Sequence, residues 1–152
     1  MLEMVAALKS EGRGVQDALD DLARKFGLHA TSQLSVRVSD VSLIAGVMAR
    51  LRANPPTSLG GRDVVRVEDL ENGVDGLPPT DGLRFTLKDA RVIIRPSGTE
   101  PKLKCYLQVV VPVTGAIETA RKTAQAELEA VRASVAEIQV RPATAASRFP
   151  YF

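Results

Sequence analysis

The chain has 152 residues, 45% of them hydrophobic and 25% charged, with a formal net charge of +2 at pH 7. That balance belongs to one folded domain, or to one domain with a fragment of another, and excludes a wholly disordered chain, which needs low hydrophobicity and high net charge. The 20 basic and 18 acidic residues interleave along the whole length, so no segment carries the basic excess that general nucleic-acid binding requires.

No apolar run approaches the roughly 20 residues of a membrane span. The start, Met1-Leu2-Glu3-Met4, lacks the basic and apolar regions of a signal peptide, which makes the cytoplasm the default location and a membrane partner unexpected. A single cysteine, Cys105, and a single histidine, His29, forbid an internal disulfide, a multi-cysteine zinc site and a histidine-pair metal motif. No tryptophan and 4% aromatics leave little for stacking bases.

Leu2, Val5 and Leu8, flanked by Met1 and Met4, recur at helical spacing. The pattern is already running at residue 1 with no capping residue ahead of it, as in a truncated product. Glu11-Gly12-Arg13-Gly14 reads as a turn. A second helix follows, with Val15, Ala18, Leu19, Leu22 and Phe26 on one face and Asp17, Asp20 and Asp21 on the other, closed by Gly27. Those aspartates read as a solvated face, because oxygen-ligand metal sites recruit more convergent groups. His29 falls in a linker, as a structural or solvated residue.

Residues 33–38 alternate as a strand. Ser39 and Asp40 offer N-caps for a helix striped by Leu43, Ile44, Val47, Met48 and Leu51 and stopped by Pro55-Pro56. Gly60-Gly61 opens a turn into a strand near 63–68, with Val65 and Val67 alternating with Arg66. A loop dense in turn formers follows, Asn72-Gly73, Asp75-Gly76 and Pro78-Pro79. Leu83, Phe85 and Leu87 mark the next strand, and a tight link at Asp89-Ala90 leads into Arg91–Ile94. The clearest strand is 102–111. Its residues Leu103, Cys105, Leu107, Val109 and Val111 face one way, and Lys102, Lys104, Tyr106 and Gln108 the other. Cys105 therefore reads as a small buried hydrophobe.

Thr114 can cap a last helix whose stripe runs through Ile117, Ala120, Ala124, Leu128, Val131, Val135 and Ile138, with a charged opposite face. Residues 139–152 read as an irregular tail with an apolar end, Phe149-Pro150-Tyr151-Phe152. Segregated helices and consecutive strands predict an α+β fold, an antiparallel four- to five-stranded sheet with helices on one face, plus an N-terminal helical pair. The expected divisions are 1–30, 31–138 and 139–152.

Between two of these strands lies Arg95-Pro96-Ser97-Gly98-Thr99-Glu100-Pro101-Lys102. It puts a fixed cation, two hydroxyls, a glycine and a second cation within eight residues. A phosphate monoester is close to a dianion at pH 7 and offers only acceptor oxygens. Arg95 can meet it with a bidentate fork, and Ser97 and Thr99 with hydroxyl and N–H. Gly98 lets the backbone approach closely or take positive φ, presenting N–H groups as a nest, and Lys102 adds charge at the rim. The plain alternative is a polar hairpin loop with Arg95 solvated.

This string, preceded by Val92-Ile93-Ile94 and followed by Leu103-Lys104-Cys105-Tyr106, closely resembles the signature of the C-terminal, fourth domain of the α-D-phosphohexomutase superfamily, the phosphoglucomutases and phosphomannomutases. The resemblance covers about residues 33–138. It extends to the Leu51–Pro56 helix end, the Gly61–Asp69 strand and the Asp81-Gly82-Leu83-Arg84 strand. Residues 1–30 look like the last helices of the preceding, third domain. His29–Leu34 and Gly76–Pro79 look closest to the branch of phosphoglucomutase and phosphopentomutase.

The resemblance implies a TATA-binding-protein-like arrangement. It implies that Arg95, Ser97, Gly98 and Thr99 grip the non-reacting phosphate of a phosphosugar, with Lys102 near that site. It implies no cofactor in this chain, but Mg2+ and a hexose bisphosphate activator for a full-length enzyme. The partners it implies are a phosphosugar substrate and the remaining mutase domains. The phosphoserine, magnesium and sugar-reading loops of the family are not in this sequence, so the chain alone is expected to be inactive. The other reading in view is a free-standing, non-catalytic module for a phosphorylated ligand.

Overall fold

The amphipathic pattern at the start forms two helices, α1 (Leu2–Ser10) and α2 (Val15–Phe26), in a computed structural model that describes residues 2–38 and 40–140. Asp17 accepts from the Gly14 N–H at 2.7 Å, and Arg24 and Lys25 complement the helix dipole in the last turn of α2. Gly27 ends the helix with φ 89° and donates to the Ala23 carbonyl at 2.9 Å. A Cβ there would lie 2.9 Å from Cγ1 of Val110, so both the positive φ and the close approach require glycine. The periodicity of α2 is as the sequence predicts, but its stripe is not a core. Leu19 and Leu22 are each 52% exposed and Phe26 60%, and only Ala23 is buried.

The remaining elements are β1 (Leu28–Arg37), α3 (Val41–Ala53), β2 (Ser58–Leu59), β3 (Arg62–Asp69), a 3-10 turn (Leu70–Asn72), β4 (Leu83–Leu87), β5 (Ala90–Pro96), β6 (Lys102–Val111) and α4 (Ile117–Val140). The fold is α+β, as the element order implies. The sheet has six strands instead of four to five, in the order β1-β6-β5-β4-β3-β2, with every pairing antiparallel. The extra strand is the two-residue β2, which folds back on Arg62 and Asp63 across Gly60-Gly61. Two residues are too short for a periodic signal.

β1 begins at Leu28, five residues before the alternation suggests. Its inward positions include Ser32, which breaks the apolar pattern, and the small Ala30, which weakens it. The Ser32 hydroxyl accepts from Arg132 on α4 at 3.2 Å, so its inward placement is satisfied. His29 therefore sits on a strand and not in a linker.

β3 also departs from simple alternation. A bulge between Val64 and Arg66 leaves Val65 67% exposed. The β4–β5 turn is Lys88-Asp89, not Asp89-Ala90, because Ala90 already pairs with Leu87. Asp89 takes φ 57°, a conformation that aspartate tolerates better than most residues.

One face of the sheet carries the core. Phe85, Val92, Ile94, Cys105 and Val109 are fully buried, and Ile44, Met48 and Leu51 of α3 and Ala124, Val131 and Val135 of α4 join their cluster. Leu43, expected in the α3 stripe, is exposed instead. α3 is capped by Asp40, whose carboxylate accepts from the Ser42 N–H at 2.8 Å. The helix carries the chain from edge strand β1 to the opposite edge. α4 starts at Ile117, beyond Thr114, and runs to Val140, two residues past the expected domain end. Ser39 as a cap, Met1 and the tail from residue 141 lie outside the described residues. Among the described residues, no helix is long and apolar enough to cross a membrane.

Candidate functional site

β5 and β6 pair as far as Pro96 and Leu103, so Arg95 and Lys102 stand on strands and the loop proper is 97–101. The Ser97 N–H donates to the Lys102 carbonyl at 2.9 Å, and the Lys102 N–H to the Glu100 carbonyl at 2.7 Å. The Val38 N–H, just past β1, donates to the Pro101 carbonyl at 3.0 Å. Three backbone hydrogen bonds thus tie the ends of the five-residue loop to the flanking strands.

Beside those ties, two polar atoms stay unsatisfied. Nε of Arg95 and Oγ of Ser97 are both shut off from solvent and have no hydrogen-bond partner. Most buried polar groups are paired, and leaving one unpaired costs about 1–3 kcal/mol. No carboxylate pairs with Arg95 among the described residues. Among the described residues its guanidinium is therefore not held by an ion pair.

The other sequence-derived site residues sit differently from expectation in two respects. The Ser97 N–H is engaged in the loop, so Ser97 offers its hydroxyl alone. Gly98 does not take the positive φ that a nest requires, and a Cβ on it would meet only open space. Gly98 and Thr99 are exposed at the loop tip, and among the described residues nothing accepts from their N–H groups.

Lys102 is mostly buried and forms an ion pair with Glu100. Glu100 also pairs with Arg37 at 3.1 Å. The hydrogen bond and charge of Lys102, then the charges of Arg37 and Lys104, hold the Glu100 carboxyl below the usual carboxylate range. Arg37, Lys104 and Glu100 were not singled out as site residues from the sequence. Lys104 faces the same side as Lys102 by simple alternation. Arg37 reaches the loop only because β1 pairs with β6, opposite Lys102, which the one-dimensional pattern does not reveal.

Gly82 completes the surroundings. It is buried just before β4, and a Cβ on it would lie 3.2 Å from Cβ of Arg95, 3.3 Å from the Ile94 carbonyl oxygen and 3.3 Å from Cδ1 of Leu70. Glycine at 82 leaves room for the stem of Arg95.

At the far end of the same sheet face, Gln108 donates to Nδ1 of His29 at 3.1 Å and accepts from Arg91 at 2.9 Å. Tyr106, Gln108, Arg91, Ile93, Thr31 and Gln33 line a shallow hollow of about 460 Å³. Cys105 lies on the opposite, buried face, as its alternation predicts. The three aspartates of α2 make intramolecular contacts. Asp17 caps its helix, Asp20 pairs with Arg121 of α4 at 2.5 Å, and Asp21 pairs with Arg13.

A family model described as "Phosphoglucomutase/phosphomannomutase, C-terminal domain" matches residues 3–115. The chain belongs to this family. The matched span of the phosphoglucomutase/phosphomannomutase domain takes in α1, α2 and the whole sheet, with the 95–102 loop inside it. A protein of Haemophilus influenzae named "Probable phosphomannomutase" is 40% identical over 107 residues, which cover 70% of this chain and 21% of that protein. A "Phosphoglucomutase" of Staphylococcus haemolyticus is 31% identical over 125 residues, covering 73% and 23%. Another from Staphylococcus epidermidis is 29% identical over 123 residues, covering 72% and 22%. The chain spans about a fifth of the length of the curated relatives it matches.

Proposed function

We propose that this chain is the phosphate-gripping domain of a phosphoglucomutase- or phosphomannomutase-type isomerase, and that Arg95, Ser97, Gly98, Thr99 and Lys102 hold the phosphate of the sugar that is not reacting. The observation that carries the reading is the pair of buried donors without partners among the described residues, Nε of Arg95 and Oγ of Ser97, beside a loop whose ends are tied by backbone hydrogen bonds. An acceptor-only dianion supplies what both atoms lack.

In the intact enzyme, a phosphoryl group passes from a phosphoserine of an earlier domain to one hydroxyl of the sugar. The resulting bisphosphate turns over and returns its other phosphate. This loop grips whichever phosphate is remote from the serine. That grip orients the substrate, and orientation alone can lower a barrier by several kcal/mol. Closing the domain over the sugar keeps water from competing as acceptor. Residues 1–30 act as the join to the preceding domain, a role that the exposed stripe of α2 supports. The protein works in the cytoplasm, with the other mutase domains and a phosphosugar as its partners.

The Mg2+ implied for the full-length enzyme has no ligand set here. Among the described residues, no three His, Cys, Asp or Glu come together to hold a metal ion. No step performed by these residues runs through it. The same holds for the bisphosphate activator, which serves the phosphoserine of the intact protein. The isolated chain binds but does not catalyse.

The test is an NMR titration of the 15N-labelled chain with glucose 6-phosphate, glucose 1-phosphate and inorganic phosphate. The expected result is saturable shifts centred on residues 95–102, with dissociation constants on the order of millimolar. Shifts spread over the sheet with none at the loop would remove the reading.

A further inference from the structure

We propose that Glu100 is a built-in counter-anion of the loop, which occupies the loop's cations when phosphate is absent, gives way to a bound phosphate, and recaptures those cations as the phosphate leaves. The inference rests on the reading of the loop as a phosphate site. It concerns release, which that reading leaves open.

Glu100 sits inside the candidate site, and its two carboxylate oxygens face two different cations. One oxygen is held by Lys102 and the other by Arg37, 63 residues earlier in the chain. Lys104 adds a third positive charge. Arg95 and Ser97, in contrast, keep unsatisfied donors. One carboxylate thus pairs with the Lys102 side, while Nε of Arg95 has no acceptor among the described residues.

A carboxylate carries one negative charge and a phosphate monoester close to two. The dianion can take over both cations of Glu100 and still satisfy Arg95 and Ser97. Glu100 is tethered within two residues of Lys102, so its effective concentration exceeds that of any free anion at physiological levels. Binding must therefore overcome a resident competitor, and departure is assisted by one. A mutase needs such a balance, because its bisphosphate has to leave the grip and return with its ends exchanged.

Among the described residues the side chain of Glu100 makes no hydrogen bond to the backbone, and it is 39% exposed. Replacing it with glutamine keeps its size and leaves the loop's backbone hydrogen bonds intact. The experiment compares the unsubstituted chain, Glu100→Gln and Arg95→Ala, each titrated with methyl phosphate at pH 8 and fixed low ionic strength. Affinity and off-rate are read from NMR line shapes. The Glu100 side-chain 13Cδ shift is followed in the unsubstituted chain.

Glu100→Gln is expected to bind about three- to tenfold more tightly, mostly through a slower off-rate, the range for one unit charge near a surface anion. The 13Cδ resonance of Glu100 is expected to move with saturation. If Glu100→Gln binds equally or less tightly while Arg95→Ala still abolishes binding, the counter-anion proposal fails and the phosphate reading stands. If Arg95→Ala binds like the unsubstituted chain, both fail.

Discussion

Arg84 and Arg95 lie one strand apart and are used in opposite ways. Arg84 donates through Nε and Nη2 to the two oxygens of Glu68 at 2.6 and 2.9 Å, and through Nη2 to Asp75 at 2.8 Å. Arg52, at the end of α3, likewise holds Asp69 at 2.8 Å, Asp81 at 2.7 Å and Glu71 at 3.1 Å. Both guanidiniums are pushed above their ordinary pKa, chiefly by the hydrogen bonds of those carboxylates. Among the described residues Arg95 has no such partner. An arginine that saturates its fork inside the chain fastens loops together, whereas Arg95 leaves its Nε without an acceptor among the described residues, which is what the proposed phosphate site draws on. Composition cannot separate the two, because the sequence contains carboxylates in near balance with its cations.

Four experiments break or sharpen that contrast, the largest effect first. Arg95→Ala removes charge-assisted hydrogen bonds worth about 1.5–3 kcal/mol each to a phosphate. Titration with inorganic phosphate is expected to show at least a tenfold loss of affinity, with a urea midpoint no lower than that of the unsubstituted chain. A large loss of stability would place Arg95 with the structural arginines.

Arg84→Ala should do the reverse. It leaves Glu68, whose side chain is only 8% exposed, with Arg66 as its remaining cation at 2.6 Å. Urea unfolding is expected to report a loss of about 1–3 kcal/mol, while phosphate affinity stays within about twofold.

Acid extends the same argument. The Arg84 hydrogen bonds lower the Glu68 pKa and those of Arg52 lower the Asp69 pKa. A carboxyl whose native pKa is lowered binds fewer protons when folded than when unfolded. Its stabilisation is therefore complete above the unfolded value, about pH 4, and is lost as pH falls through the native one. Chemical unfolding between pH 6 and 3 should show this decline, and Arg84→Ala should flatten it.

Gly82→Ala is the mildest change. A methyl group 3.2 Å from Cβ of Arg95 shifts the stem of that arginine by a few tenths of an ångström. Calorimetry is expected to give a loss of phosphate affinity of about threefold, with the helical content unchanged by circular dichroism. Unaltered affinity would show that the position of Arg95 tolerates the shift.

Much of this molecule was legible in its sequence, and the gaps have physical causes. β6 and α4 were readable because each buries one clean face, period two in the strand and three to four in the helix. β1 was half readable, since the small Ala30 and the inward Ser32 hide the alternation, and the partner of Ser32 comes from α4. β2 was not readable at all, being a consequence of the turn at Gly60-Gly61. The loop was legible as a string, with Arg95 and Ser97 on it, and the lack of partners for their Nε and Oγ among the described residues is a feature of the fold. The engagement of the Ser97 N–H and the ordinary φ of Gly98 were not legible, because loop hydrogen bonds depend on how the flanking strands close. Arg37 was invisible in one dimension, since only the β1–β6 pairing brings it to Glu100.

The junction at Gly27 has a mechanical side. A single residue separates the last turn of α2 from the first residue of β1, so there is no slack in which to absorb a tilt of that helix. From there β1 runs ten residues, roughly 33 Å at the usual rise per strand residue, and its last residue is Arg37. Any tilt of the helical pair therefore turns on that glycine or is passed into the β1–β6 ladder, whose far end sets Arg37 opposite Lys102, beside the carboxylate at position 100.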